Sequence, residues 1–150
     1  MEELKFSKKH IAEFKKMGIL AVYLYGSRAV GRNIHPLSDF DFAVIFENPQ
    51  EFEDATKRNE TYLKLYEIFS GVLPKDYLRK RFELREHEFD LVFPQFASVN
   101  IRFETARRGK VLYEKNRRKR LDYEEDIIKR YCDLKYYHDI RYKAILERIK

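Results

Sequence analysis

Three aspartates occupy positions from which their carboxylates could act together. Asp39 and Asp41 are separated by one residue in the apolar segment DFDFAVIF, and Asp90 lies in the similar segment EFDLVF. Alternate side chains of a strand share a face, so Asp39 and Asp41 point one way while Phe40 and Phe42 point towards the core. If the two segments pair in one sheet, Asp90 joins the other two carboxylates.

Carboxylates placed this close repel each other and resist ionisation unless a cation lies between them. Oxygen ligands of this kind suit Mg²⁺, which takes one or two carboxylates and completes its shell with water and phosphate oxygens. We therefore predict that Asp39, Asp41 and Asp90 form a catalytic metal centre, with room for two Mg²⁺ ions. Asp90 is also placed to accept the proton of an attacking hydroxyl. An isolated Asp-x-Asp is more typical of a solvated strand start, so the prediction depends on the whole set.

A Gly-Ser pair follows the first apolar segment, Ile19 to Tyr25. Glycine lets the backbone approach a phosphate closely, and exposed amides in such a turn favour an anion. The Ser27 hydroxyl could donate to a phosphate oxygen. Arg28 could pair with phosphate charge or support the turn, and the sequence leaves both roles open. Gly26, Ser27 and Arg28 are therefore the predicted nucleotide-binding residues.

The elements that must position these residues follow from the apolar pattern. Four segments rich in branched and aromatic residues predict strands: Ile19 to Tyr25, Asp39 to Phe46, Glu88 to Phe93 and the short edge strand Val111 to Tyr113. Segments with helical spacing predict helices: one capped by Ser7 and ended by Gly18, Phe52 to Phe69 stopped by Ser70-Gly71, Phe96 to Arg108, and about 122–149, where Glu125 is the capping-box partner of Asp122. We expect an α/β (α+β) fold, with a small mixed sheet of three or four strands flanked by helices.

Length and composition indicate a single domain over residues 1–150, with its core at about 19–114. The chain has 150 residues, of which 44% are hydrophobic, which suits one core. Its only cysteine, Cys132, excludes an internal disulfide and a zinc site made of thiolates. The N-terminus is too charged for a signal peptide, and no apolar run is long enough to span a bilayer. These features predict a cytoplasmic protein with no membrane partner.

The net charge of +6 is concentrated near the C-terminus. Residues 1–100 carry −1 and residues 101–150 carry +7, mostly between Arg107 and Arg120. Such a stretch is usually a solvated loop and helix end, although it could attract a nucleotide, RNA or an acidic partner. Only Tyr113 offers a ring for base stacking within it. Nucleic acid is therefore an unlikely main partner, and electrostatic steering is the preferred interpretation.

The apolar stripe of the last helix has two readings. Its members are Ile127, Tyr131, Leu134, Ile145 and Ile149. Such a stripe usually packs against a core. Because this helix is longer than one small sheet requires, a docking surface is the second hypothesis.

The segments YGSRAVGRNIHPLSDFDFAVIF and EFDLVF resemble the DNA polymerase β-like nucleotidyltransferase superfamily, and more narrowly its minimal nucleotidyltransferases of the MntA antitoxin type. The family pattern is a Gly-Ser pair, Asp-x-Asp and a third Asp on a later strand; Gly26-Ser27, Asp39-x-Asp41 and Asp90 match it. The resemblance covers about residues 19–114 and implies the polymerase β-like palm fold.

The resemblance also implies an activity. Such proteins use Mg²⁺ and ATP to transfer AMP to a tyrosine hydroxyl of a HEPN-domain RNase toxin, with which they form a complex, and so act as its antitoxin. Two alternatives remain at this stage. The chain could be a catalytically idle antitoxin that blocks its toxin by binding, or a nucleotidyltransferase acting on RNA or a small molecule. The intact carboxylates favour an enzyme over an idle antitoxin.

Overall fold

A four-stranded mixed sheet forms the centre of the protein, seen in a computed structural model that describes residues 4–30, 39–74 and 89–149. The strands are β1 Ile19–Tyr25, β2 Asp41–Phe46, β3 Asp90–Val92 and β4 Lys110–Glu114, in the order β3-β2-β1-β4. β1 is antiparallel to β2 and β4, whereas β2 and β3 are parallel. The predicted mixed sheet is thus confirmed, with four strands.

Five α-helices accompany the sheet in the described part of the chain: α1 Lys8–Lys16, α2 Ser27–Val30, α3 Ala55–Val72, α4 Val99–Arg108 and α5 Arg117–Ile149. Short 3₁₀ helices occupy Pro49–Phe52 and Pro94–Phe96. None of the helices described is long and apolar enough to cross a membrane.

The two faces of the sheet carry separate clusters of buried side chains. On one face, Phe42 packs with Phe14 of α1 and with Leu65 and Phe69 of α3, all fully buried. On the other face, Ala43 and Tyr23 belong to a smaller cluster, against which Tyr123 of α5 packs. Side-chain alternation along β2 explains the division, because Phe42 and Ala43 must point in opposite directions. The predicted orientation of Phe42 towards the core is confirmed.

Helix starts are determined by capping side chains, and several predicted boundaries were wrong for that reason. Ser7 caps α1 as predicted, its hydroxyl accepting from the His10 amide at 3.2 Å. The helix predicted from Phe52 begins at Ala55 instead, because Asp54 caps it, and it continues beyond Ser70-Gly71. The helix predicted from Phe96 likewise begins after the cap Ser98.

The last helix begins earlier than predicted. α5 starts at Arg117, and the Asn116 side chain accepts from the Lys119 amide at 3.0 Å. Asp122 is therefore an internal residue, 3.8 Å from Arg118, and does not cap the helix. An early Asn cap supplies the unsatisfied amide with a partner before Asp122 is reached.

Three strands also differ in extent from the prediction. β2 begins at Asp41 and β3 spans Asp90–Val92, so both are shorter than predicted. The edge strand β4 is longer, at Lys110–Glu114. The loop predicted up to Ser38 and the strand start at Glu88 lie outside the described residues.

A half-buried ionic network attaches the beginning of α5 to the sheet. The Arg120 guanidinium, 11% exposed, contacts Glu114 at 2.5 Å and Glu124 at 2.6 Å. The Tyr23 hydroxyl of β1 donates to the same Glu124 carboxylate at 2.7 Å. Further along α5, the Tyr131 ring stacks on Phe103 of α4 at 3.7 Å. Beyond this contact every residue of 132–149, here called the arm, is exposed.

Candidate active site

The ends of three strands place Tyr25, Asp41 and Asp90 in one row. Tyr25 is the cross-strand partner of Asp41, and Asp41 is the cross-strand partner of Asp90. The Asp90 amide donates to the Phe40 carbonyl at 2.9 Å, so the ladder extends one residue before β2. Because partners in register share a face, the two carboxylates lie side by side at this edge of the sheet.

The electrostatics of the carboxylate pair show how close the groups are. Burial raises the pKa of Asp41, and the charges of Asp90 and Asp39 and a hydrogen bond with Asp90 add to that increase, bringing it to about 7. Asp41 is half-buried, whereas Asp39 and Asp90 are exposed. Asp41 therefore faces like charges at the site, and a cation would relieve the repulsion. The donor set, hard carboxylate oxygens on one edge, fits a divalent ion such as Mg²⁺.

The three aspartates are not equally close. Within residues 4–30, 39–74 and 89–149, no group of three or more His, Cys, Asp or Glu side chains is arranged to hold a metal ion. The structure thus brings Asp41 and Asp90 together, while Asp39 acts on Asp41 through its charge. That all three bind metal remains a prediction.

Gly26 packs its backbone against the Asp41 carboxylate. Its φ is +76°, a left-handed conformation, and a Cβ placed there would lie 2.3 Å from Asp41 Oδ2. Only glycine satisfies both conditions without strain. The sequence singled out this glycine for its approach to phosphate, and the structure adds that it also leaves room for the carboxylate. α2 then begins at Ser27, whose side chain lies outside the described part.

Arg28 lies on the side of the strand that faces the large cluster. Its guanidinium carbon is 4.0 Å from the ring centroid of Phe40, which is 5% exposed and stacks on Phe42. Since Phe40 and Asp41 point to opposite faces, this contact supports the Asp39-x-Asp41 segment from behind. The sequence left open whether Arg28 binds phosphate or supports the turn. The contact with Phe40 is direct support for the second role. The nucleotide-binding role stays a prediction.

Tyr25 is a site residue that sequence reasoning overlooked. It is half-buried, it is paired with Asp41, and it packs against the smaller cluster. Burial and the charges of Asp41 and Asp90 raise the pKa of its hydroxyl to about 12. Its place just before the Gly-Ser turn was visible in the sequence, but the register that pairs it with Asp41 depends on contacts across the sheet.

The basic stretch from Arg107 to Arg120 is largely neutralised within the protein. Lys115 and Lys119 contact the Glu47 carboxylate at 2.7 and 3.4 Å. Arg118 and Arg120 have the acidic partners given above. These four basic side chains of the stretch therefore have a carboxylate partner within the protein.

Comparison with known proteins identifies the family to which the chain belongs. Residues 8–118 match the family described as Polymerase beta, Nucleotidyltransferase. The match includes β1 to β4 and every predicted site residue. The chain belongs to this nucleotidyltransferase family.

The chain is also similar to individual proteins and solved structures. The chain is 34% identical over 91 residues to the protein adenylyltransferase MntA of Aphanizomenon flos-aquae (strain 2012/KM1/D3), covering 61% of this chain and 54% of that relative. A solved toxin–antitoxin complex with AMP-PNP matches with a TM-score of 0.57 at 20% identity, covering 91% of this chain and 94% of the other. A complex of tri-AMPylated Shewanella oneidensis HEPN toxin with MNT antitoxin matches with a TM-score of 0.54 at 19% identity, over 92% and 93% of the two chains. These structures share the fold of the chain.

Proposed function

We propose that the chain is an Mg²⁺-dependent nucleotidyltransferase that transfers AMP from ATP to a tyrosine hydroxyl of a HEPN-domain toxin, and thereby acts as its antitoxin. The observation that carries the proposal is the pairing of Asp41 with Asp90 beside the Gly26 turn. Family membership supports the reaction class, and the adenylyltransferase and the AMPylated complex among its relatives support the acceptor. A cytoplasmic location is part of the proposal, because the proposed reaction uses ATP.

The carboxylates would hold the cation that the triphosphate requires. Asp41 and Asp90, which are paired in register, would hold it, and Asp39, whose charge acts on Asp41, would complete the set. Mg²⁺ bound there would supply positive charge to the triphosphate and the departing pyrophosphate, and two ions fit this class of chemistry. The positions of the three carboxylates would determine where the Mg²⁺ charge lies.

The turn that contains Gly26 would hold the phosphates. Its left-handed glycine brings the backbone next to the Asp41 carboxylate, so a phosphate bound at the turn lies next to the metal ligands. Ser27 would donate its hydroxyl to a phosphate oxygen. Arg28, stacked on Phe40, keeps the Asp39-x-Asp41 segment in place and could also reach phosphate.

The proposed transfer is a displacement at the α-phosphorus of ATP. The tyrosine oxygen forms a bond to that phosphorus, the bond to pyrophosphate breaks, and the phenolic proton passes to a carboxylate. Asp90 suits this last role because it is exposed at the edge strand, where an acceptor could approach, whereas Asp41 is half-buried.

Labelled ATP tests the proposal directly. The chain is incubated with ATP labelled at the α-phosphate, MgCl₂ and a purified HEPN-domain toxin from the same genome, beside the Asp41→Asn variant. We expect AMP on a toxin tyrosine, located by mass spectrometry, and loss of the RNase activity, both absent with the variant. Neutralisation that persists in the variant without label would identify an idle antitoxin that acts by binding. Label on RNA or on a small molecule instead would identify a different acceptor.

A further inference from the structure

We propose that the arm, residues 132–149, is the docking surface for the acceptor toxin, and that one face of it makes the contact. This inference rests on the proposed function, because it names the surface through which that same site receives its protein substrate. The face consists of the stripe residues Leu134, Ile145 and Ile149, together with His138 and Tyr142, which lie in step with them.

The stripe continues a face that is already buried at the beginning of the helix. Ile127 is 7% exposed, and Tyr131 stacks on Phe103. Steps of three and four residues then lead to Leu134 and Ile145, which are 42% and 43% exposed. Because positions at this spacing lie above one another on a helix, the buried face and the exposed stripe are one continuous surface.

The arm has no support of its own in the described structure. Among the described residues, the ion pairs of α5 lie at or before Arg130, and every arm residue is exposed. The Arg120 network nevertheless fixes the direction in which it leaves the sheet. A helix with a fixed root and an uncovered apolar face is expected to be covered by a partner.

The size of the arm decides which partner covers it. A stable interface uses about 20–30 residues on each side. The stripe offers far fewer, so two copies of the arm pairing with each other would fall short of a stable dimer. A protein acceptor must also reach the carboxylates at the edge of the sheet and therefore contacts the body of the chain as well. At least half of the arm is included in the fold match to the toxin–antitoxin complexes, because a match over 94% of the chain leaves about nine residues unmatched and the arm has 18.

Two double variants of the full chain test the face. Leu134→Ala with Ile145→Ala removes apolar groups from the stripe. Tyr136→Ala with Ile140→Ala removes groups that are 66% and 49% exposed on the opposite side, about 200° around the helix from Leu134. Both pairs keep helix-forming residues, and circular dichroism verifies that the helix content is unchanged.

Three measurements are made on each protein: the rate of AMP transfer against toxin concentration, the affinity for the toxin by calorimetry, and the rise in Tm on adding MgATP. For the stripe variant we expect the Kd and KM for toxin to rise at least about tenfold, with kcat and the MgATP response unchanged. The opposite-side variant is expected to stay within about twofold of the parent chain, as exposed positions outside an interface do.

Each other outcome is decisive. Unchanged toxin affinity in the stripe variant, or an equal loss in both variants, overturns the docking proposal. A parent chain that is dimeric by light scattering and becomes monomeric in the stripe variant assigns the arm to a second copy. If the parent chain binds toxin but transfers no AMP, the proposed function fails, while the affinity series still tests the arm. If it neither binds nor modifies toxin, both proposals fail.

Discussion

The carboxylate edge and the arm are held in opposite ways. At the edge, four constraints act on one short segment. They are the strand register, the hydrogen bond from the Asp90 amide, the close backbone of Gly26 and the ring of Phe40. The arm is held at its root alone, and no residue of the described part of the chain covers it. Chemistry at the edge requires groups fixed in advance, whereas a docking helix needs only a stable direction and an open face.

This difference separates two kinds of mutational effect. A change at the edge should alter catalysis even when the fold survives, because several constraints meet on few atoms. A change on the arm should leave the isolated protein almost unaffected, because little is packed there.

Asp41→Asn should abolish most of the transfer activity. The amide keeps the shape of the side chain, but it carries no charge and binds a divalent cation less well. We therefore expect the initial rate of transfer to fall at least about a hundredfold. Asp54→Asn serves as the control, because Asn also caps α3 well and Asp54 is not a site residue. An Asp41→Asn protein that retained activity in the assay with labelled ATP would remove Asp41 from the catalytic site.

Gly26→Ala should be the second most damaging change. Alanine adds the cost of a left-handed residue, about 1–2 kcal/mol, and its Cβ would also displace the Asp41 carboxylate. We expect a lower Tm and a fall in the transfer rate of at least tenfold, of the order seen when one group of a site is misplaced.

Two other glycines separate the causes. Gly18 has φ +72° with no atom within 4 Å of an added Cβ, so Gly18→Ala should lower stability without changing activity. Gly71 lies in α3 with open space around it, and Gly71→Ala should raise stability by up to about 1 kcal/mol. Equal activity losses in Gly26→Ala and Gly18→Ala would show that strain alone, and not the contact with Asp41, is responsible.

The sequence predicts the edge well because its constraints are local and periodic. The alternation in DFDFAVIF predicted that Phe42 lies in the core, and the pattern EFDLVF predicted a partner strand carrying Asp90. What it could not supply was the register that pairs Asp41 with Asp90, since registration depends on contacts distant along the chain. Arg28 shows the same limit, because its contact with Phe40 depends on how the turn folds back.

Helix boundaries and the arm were harder to predict for physical reasons. Asn116 and Asp122 both resemble helix starts, and only the connection from β4 decides that the earlier one is used. The stripe of α5 favoured core packing, with a docking helix as the second hypothesis. Sequence periodicity reports which face is apolar, but it does not report where the body of the protein ends.

A pH and metal dependence of stability should follow from the carboxylate pair. The pKa of Asp41 in the metal-free folded protein, about 7, is above its ordinary value of 3.8. The folded state therefore holds this proton more tightly than the unfolded chain does. The resulting stabilisation is fully present below about pH 4 and is lost as the pH rises through about 7.

We expect the Tm in EDTA to decrease by several degrees between pH 5 and pH 8, and MgCl₂ or MnCl₂ to restore most of it at pH 8. Asp41→Asn lacks the titrating group, so its Tm should show a smaller decrease and little response to the metal. An equal decrease and an equal metal response in Asp41→Asn would place the titration elsewhere in the chain.

Ile145→Ala should have the smallest effect on the isolated protein. The side chain is 43% exposed on the arm, so its loss is expected to change the free energy of unfolding by less than about 0.5 kcal/mol. Leu65→Ala is the contrast, because Leu65 is fully buried between α3 and the sheet and its truncation is expected to cost about 2–5 kcal/mol. Urea unfolding of both variants, without toxin, measures the difference. If Ile145→Ala destabilised the isolated chain as much as Leu65→Ala, the arm would have to be packed in solution, and the contrast between a fixed catalytic edge and an uncovered docking helix would no longer hold.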